Sequence, residues 1–339
     1  MAKETFKTMI GGQALIEGIM MRGPQKDAIV VRTADGLNVE LSDRKIRPNT
    51  SPLSWPFLRG PVNFIDAQMV GIKALMHSAD LNPDQAENPS KFDLWLEKKL
   101  NNEKNKNLFY GILVAVSLLF SVGLFFVLPM LIGLVFEIWT DNLLTLNLLE
   151  GLVRVIILTA YMIFASRMEE MKRVFAYHGA EHKTICCYEE GLPLTVENVR
   201  KQCRFHPRCG TSFLLVVVVL SILLFSVAST LLLNWIPALA AMQGTIGYKL
   251  IMVCFKLLLL PVVVSIAYEI NRIVGKYDNW FTKLLVAPGL WMQRITTNEP
   301  DDAMIEVGIA AVEAVLPEEE GADAWKKPFL SFIWMPAAY

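Results

Sequence analysis

The apolar positions of this chain gather into four long unbroken blocks, Leu108 to Phe136, Leu143 to Ala165, Ser212 to Trp235 and Tyr248 to Ile270. A helix needs about 20 apolar residues to cross the hydrocarbon core of a bilayer, and each block is long enough. A soluble core of this size has no room for four such helices. Pro129 and Pro261 fall inside blocks, where a membrane helix tolerates a kink. Elsewhere the pattern changes. Ala28 to Val31, Ala34-Asp35-Gly36 and Leu37 to Leu41 read as a short hairpin, Asp-Gly being a turn signal. Asn63 to Ala79 reads as an amphipathic helix with Ile65, Met69, Ile72 and Met76 on one face. The polar stretch Asp80 to Asn107 reads as a linker, with room for a surface helix carrying Phe92, Trp95 and Leu96. After the fourth block, Trp280, Phe281, Leu284, Leu285, Leu290 and Trp291 suggest segments lying on a membrane surface. A capped helix follows Thr297-Asn298-Glu299-Pro300-Asp301-Asp302 and runs to about Leu316. The aromatic and proline-rich end, Trp325 to Tyr339, fits docking on the domain, on a neighbouring subunit or on the membrane.

Composition sharpens this reading. Of 339 residues, 53% are hydrophobic and 19% charged, more apolar and less charged than a soluble domain. The net charge of -1 gives no basis for nucleic-acid binding. The basic residues are unevenly placed, with fifteen Lys and Arg before the first block and eight between Ser166 and Thr211. Six more follow Asn271, and the connections Phe136 to Asn147 and Ile236 to Gly247 hold none. By the positive-inside rule both termini and the long middle loop are expected in the cytoplasm. The N-terminus lacks a charged-then-apolar leader. The expected fold is therefore an α-helical integral membrane protein of the cytoplasmic membrane. Four transmembrane helices accompany a small mixed α+β cytoplasmic region built from the N-terminal segment, the middle loop and the C-terminal segment. The parts are 1–107, spans one and two in 108–165, the motif loop 166–211, spans three and four in 212–270, and 271–339. The partners expected are the lipid bilayer and, for the bundle, further copies of the chain.

Charges inside the blocks need partners. Glu150 and Arg154, four apart, share a helix face. Glu150 and Lys256 come out at similar depth, which allows an ion pair between spans, a polar pathway, or a lysine that snorkels to the interface.

The candidate chemistry lies in the middle loop, which holds three of the four histidines. Ala176 to Tyr188 reads as a helix ended near Gly191. There His178 and His182 share a face with the reach of two metal ligands, and Glu181 stands beside them as a candidate general base. This H-x-x-E-H order is that of inverzincin peptidases. A catalytic zinc takes three protein ligands and a water, so a third must come from elsewhere. His206 and Cys209 are the best candidates, followed by Glu189, Glu190 and Glu197. Arg208 or Lys183 is available to stabilise an oxyanion. The rival arrangement is a closed structural site of His178, His182, His206 and Cys209, or Cys203 as a substitute. In reducing cytosol Cys186, Cys187, Cys203 and Cys209 are expected as thiols, and Cys254 as a packing residue. Near the N-terminus, Gly11 to Pro24 carries Gln13, Glu17 and Arg22 in an apolar, glycine-rich run. It is either a tightly packed strand and turn, or a segment that turns Glu17 or Arg22 toward the histidines.

The run G-G-Q-A-x-I-E-G-x-M-M-R-G-P, then Y-H-G-A-E-H-K, then H-P-R-C-G-T-S-F, with Pro288-Gly289-Leu290-Trp291 and Thr296 to Pro300, together resembles the bacterial YqhQ-like family. That family is of unknown function and is often labelled a predicted metal-dependent enzyme. The resemblance covers nearly the whole chain. It implies that His178, Glu181, His182, His206 and Cys209, with Gly12, Gln13, Glu17 and Arg22, are motif positions. Two functions are thus expected in competition. One is a membrane-anchored zinc hydrolase acting on an amide or ester at the inner membrane face. The other is a non-enzymatic oligomeric scaffold or pore with a structural His/Cys loop.

Overall fold

A computed structural model describes residues 6–48, 50–82, 103–140, 142–277, 279–319 and 321–324. The expected helix at 92–96 and the aromatic C-terminal end lie outside the described residues. Strands β1 (Gly11–Leu15), β2 (Gly18–Arg22), β3 (Lys26–Thr33) and β4 (Gly36–Asp43) form one antiparallel sheet in sequential order. The helices include α1 (Arg59–Leu81), α2 (Glu103–Val122), α3 (Leu128–Phe136), α4 (Leu143–Ala165) and α5 (Glu169–Glu189). Then come α6 (Val196–Arg200), α7 (Gly210–Trp235), α8 (Ile246–Lys276), α9 (Trp280–Thr296) and α10 (Asp302–Val315). Four helical stretches are long and apolar enough to cross a membrane: Gly111–Phe136, Leu143–Ala165, Gly210–Trp235 and Ile246–Gly275. They coincide with the four apolar blocks and carry large apolar side chains outward, among them Leu119, Phe120 and Leu258.

The chain divides into two compact units. The first draws on the N-terminal segment through Asn82, on Tyr161–Leu220, and on the chain from Leu260 onward. Three stretches far apart in sequence thus share one core. Ile19, Met21, Ala28 and Val30 of the sheet pack with Tyr177, Ala180 and Ile185 of α5 and Val307, Ala311 and Val312 of α10. The alternation along β2 and β3 puts these side chains on one face of the sheet. Gly308 lets α10 approach α5 closely, since a Cβ there would lie 2.6 Å from Thr184 Oγ1. Asp301 caps α10 by accepting from the Met304 N–H at 2.8 Å, so the expected cap is present one residue before the helix starts.

The β3–β4 hairpin is also where it was expected, with one shift. Thr33 pairs with Gly36, so Ala34 and Asp35 form the turn and Gly36, at φ 127°, opens β4. Helix α1 differs from its expected packing. It buries Gly60, Gly71, Ala74 and Ser78, while Ile65, Met69 and Ile72 are exposed. Small residues face inward because β1 approaches too closely for a larger side chain; a Cβ at Gly71 would collide with the Gln13 amide.

The second unit holds 103–160 and 221–259 among the described residues. The first membrane-length helix does not run straight through. A π-helical turn, Gly123–Val127, joins α2 to α3, just ahead of Pro129. Proline has no N–H, so the carbonyl four residues earlier, Phe125, loses its α-helical donor. Arg154 Nε donates to that carbonyl at 3.0 Å. The ion pair between the second and fourth apolar blocks is formed, Lys256 Nζ lying 2.7 Å from Glu150 Oε2. Lys256 is buried and does not snorkel.

Candidate metal centre

Helix α5 carries the H-x-x-E-H run in a buried setting, with Glu181, His182, Lys183 and Thr184 all under one-tenth exposed. It begins at Glu169, well before the expected Ala176, and ends where Gly191 adopts a left-handed φ of 67°. His178 and His182 lie one turn apart with ring centroids 4.3 Å from each other. The start of α7 brings Cys209 to the same place, its Sγ 3.1 Å from His178 Nε2. The ligand atoms of His178, His182 and Cys209 all lie within 4.8 Å of one another.

The backs of the two imidazoles are tied to main chain. His178 Nδ1 is 2.8 Å from the Thr296 carbonyl, and His182 Nδ1 is 2.6 Å from the Arg204 carbonyl. A carbonyl only accepts, so each Nδ1 carries the proton and donates. In the neutral ring each Nε2 then presents a lone pair toward the cluster, the arrangement typical of metal-ligating histidines. His182 Nε2 is buried with no hydrogen-bond partner among the described residues. Burying such an atom unpaired costs about 1–3 kcal/mol, and a metal at the cluster would remove that cost. The donor set, two imidazoles and a thiolate, therefore fits a borderline-soft divalent metal.

Glu181 is not one of the three convergent donors. Its Oε1 accepts from the Gly12 N–H at 3.0 Å, and its Oε2 is buried without a partner among the described residues. Gly12 belongs at this position because a Cβ would meet the Glu181 carboxyl carbon at 3.1 Å and the Met20 carbonyl at 2.6 Å. The glycine-rich run is thus the β1–β2 hairpin, and the Gly12 backbone, not the Glu17 or Arg22 side chain, reaches the Glu181 carboxylate beside the histidines. Glu17 sits in the turn at φ 51° and pairs instead with Arg173, while also accepting from Tyr177 OH at 3.1 Å. Arg22 pairs with Asp27 at 3.2 Å.

The electrostatics follow from burial and proximity. Burial disfavours a charged His178, but the Cys209 sulfur, Glu181 and the Thr296 carbonyl together outweigh that and raise its pKa to about 9. Burial likewise opposes ionisation of Cys209, yet His178 and His182 hold its pKa well below the usual thiol value. Glu181 is shifted up by burial, against the pull of the two histidines.

His206, expected among the ligands, stands apart. Its ring is 5.6 Å from that of His182, but its Nε2 is 3.7 Å from Glu189 Oε2 and 3.2 Å from Arg208 Nη2. Burial pushes its pKa down to about 4, with Arg208 adding to the effect. Arg208, expected at the chemistry, is held by Glu189, and Lys183 by Glu299 and the Arg200 carbonyl. Both act on the loop rather than on the cluster. All five cysteines are free of disulfides; Cys203 is exposed, and so is Cys254, which was expected to pack.

Gln293, fully buried, was not suggested by any motif. It accepts from the His206 N–H at 2.8 Å and donates to the His206 carbonyl at 2.7 Å and to Ser212 Oγ at 2.9 Å. Gly289 brings its helix against this loop, since a Cβ there would lie 2.6 Å from Ser212 Cα. The segment Pro288 to Pro300 is thus the wall behind the histidines, and its Thr296 carbonyl orients His178.

These features define a class: a chain with four membrane-length helices and a His/His/Cys cluster that could hold a metal, with a carboxylate beside it. The chain belongs to the family described as "Protein of unknown function (DUF1385)", whose model matches residues 55–318. It is 34% identical over 335 residues to "Uncharacterized protein YqhQ" of Bacillus subtilis (strain 168), which covers 97% of this chain and 98% of that protein. No solved structure matches it.

Proposed function

We propose that the protein is a zinc-dependent hydrolase of the cytoplasmic membrane, working on an amide or ester at the inner face. The observation that carries this is the Glu181 Oε2 atom, buried and unpartnered, beside three donors that converge. Structural zinc sites are closed by four protein ligands, and catalytic ones keep a position open. Among the described residues three donors converge, which supports the open kind. The alternation of Lys- and Arg-rich with Lys- and Arg-free connections supports a cytoplasmic location for the loop.

His178, His182 and Cys209 would hold the metal, with the Nδ1 proton of each imidazole already donated to a main-chain carbonyl. When bound, zinc would supply Lewis acidity and lower the pKa of a water to about 7. Glu181 supplies the base. Its Oε1 is anchored by the Gly12 N–H, which leaves Oε2 to take the proton of the attacking water. The same oxygen returns that proton to the leaving amine or alcohol as the scissile bond breaks. Burial raises the Glu181 pKa, which suits a group that must both accept and give.

The experiment is the metal content of freshly purified full-length protein, with ligand number read by X-ray absorption. The expected result is one zinc per chain, with one sulfur at about 2.3 Å and two nitrogens at about 2.0–2.1 Å. His178→Ala, His182→Ala and Cys209→Ser should each lose it, and Glu181→Gln should keep it. A metal-free wild type ends the metalloenzyme reading, and four protein ligands turn the site into a structural one.

A further inference from the structure

The second unit encloses a cavity of about 330 Å³ within its apolar helices, large enough for a small ligand. Among the described residues, five charged side chains line it: Glu137, Glu150, Arg154, Lys249 and Lys256. Charges placed among apolar spans are expensive and are kept where they do something. Lys249 pairs with Glu137 at 2.7 Å, one cation to one carboxylate. Glu150 is shared, however. Lys256 lies 2.7 Å from its Oε2 and Arg154 3.6 Å from the same atom. Three cations therefore face two carboxylates, and the excess positive charge sits on Arg154 and Lys256.

Arg154 is held firmly. It donates to the Phe125 carbonyl of the π turn at 3.0 Å, and its guanidinium carbon lies 5.5 Å from the Phe126 ring centre and 5.6 Å from that of Phe225. A second, independent sign is Asn147. It is 6% exposed and lines the cavity, and its Nδ2 has no hydrogen-bond partner among the described residues. A buried amide donor without an acceptor and a surplus cation have the same remedy, an anion. Part of the wall is apolar, with Phe126, Met130 and Leu146 among it. The lining extends to Thr140, Gln243 and Gly244, in the two connections that carry no Lys or Arg.

We infer that this cavity binds an amphiphilic monoanion. A carboxylate or phosphate head lies against Arg154, Lys256 and the Asn147 amide, and a short apolar tail lies along the aromatic and aliphatic wall. Such a head comes from a free fatty-acid-like carboxylate or from an anionic lipid. The inference is independent of the metal centre, so loss of zinc leaves it standing.

The test uses full-length protein in nanodiscs, with octanoate titrated into phosphatidylcholine discs. In parallel, lipid retained on the protein from discs containing phosphatidylglycerol is counted by native mass spectrometry. One-to-one binding of octanoate identifies a soluble carboxylate; selective retention of one phosphatidylglycerol identifies the lipid. For whichever probe binds, Lys256→Gln and Arg154→Gln should weaken it tenfold or more, and Asn147→Leu about threefold. Glu150→Gln raises the net charge of the lining from +1 to +2 and should tighten binding at least threefold. A charge network that only pairs structurally predicts no such gain, and this variant decides the matter if the others fold poorly. The inference is overturned if wild type binds neither probe, or if Glu150→Gln binds no better than wild type.

Discussion

Replacing Gln293 by Leu asks whether the loop that delivers Cys209 is held by one buried amide. Leucine is close to glutamine in size, so the change is chiefly one of polarity. It strips the partner from the His206 N–H and from the His206 carbonyl, both buried; the Ser212 hydroxyl can turn elsewhere. Each stranded backbone group costs about 1–3 kcal/mol, so the closed loop should lose about 2–6 kcal/mol. That is a large share of the roughly 5–15 kcal/mol that holds a domain folded. Cys209 lies three residues on and is 8% exposed, so it reacts with an alkylating reagent only when the loop opens. At about 1.4 kcal/mol per tenfold, even the lower figure means labelling about 30-fold faster. The assay is the rate of Cys209 alkylation by N-ethylmaleimide in metal-stripped protein under native conditions, read by peptide mass spectrometry. Thr297→Val is the control. It removes a hydroxyl bond to the Gln293 carbonyl, which keeps the Thr297 N–H at 2.9 Å, and the rate should stay within about threefold. If Gln293→Leu labels at the wild-type rate, the loop is held by something other than this amide.

Two further outcomes follow from the packing and the charges. Gly308→Val forces side-chain atoms into Thr184 Oγ1 and the Ala180 carbonyl, where a Cβ already comes within 2.6 Å and 3.3 Å. Overpacking of this kind costs about 1–3 kcal/mol, or about 2–4 °C in Tm for each kcal/mol in a unit of this size; an unchanged Tm by thermal unfolding refutes the close approach of α5 and α10. His206 has its pKa depressed to about 4 by burial, so between there and about 6.5 the unfolded chain binds a proton that the folded one does not. Stability therefore falls as pH is lowered through that window, by about 3 kcal/mol at most, and His206→Gln should flatten the slope of metal-stripped protein in urea titrations; identical slopes would show the ring is not buried neutral.

The four apolar blocks were legible because a membrane-length helix needs only local composition and length. The hairpin and the caps were legible for the same reason: Asp-Gly near the β3–β4 turn and Asp301 before α10 act within a few residues. The face of α1 was not. Ile65, Met69 and Ile72 formed the obvious stripe, yet the buried side is Gly71, Ala74 and Ser78, because closeness to β1 selects for small size rather than hydrophobicity. The site was half legible. Spacing alone puts His178 and His182 on one helical face, since four residues make about one turn. Of the donors in the second motif, Cys209 comes to them while His206 turns to Glu189 and Arg208, a choice made by Gln293 and α9 and invisible at the motif itself.

The sequence alone therefore determined the four membrane-length helices, the charge asymmetry of the connections, the helix that carries the histidines and the family. These depend on periodicity, on length and on contacts a few residues apart. Only the tertiary structure decided that the N-terminal hairpin, the motif loop and the C-terminal helices share one core. It alone showed that Gly12 and the Thr296 carbonyl reach the Glu181 and histidine side chains of the His/His/Cys cluster, and that Glu150 is shared by Lys256 and Arg154. Each of these joins residues at least about a hundred positions apart, with the exception of the i,i+4 pair. Long-range pairing of that kind is set by which surfaces can be buried together, not by any local pattern in the chain.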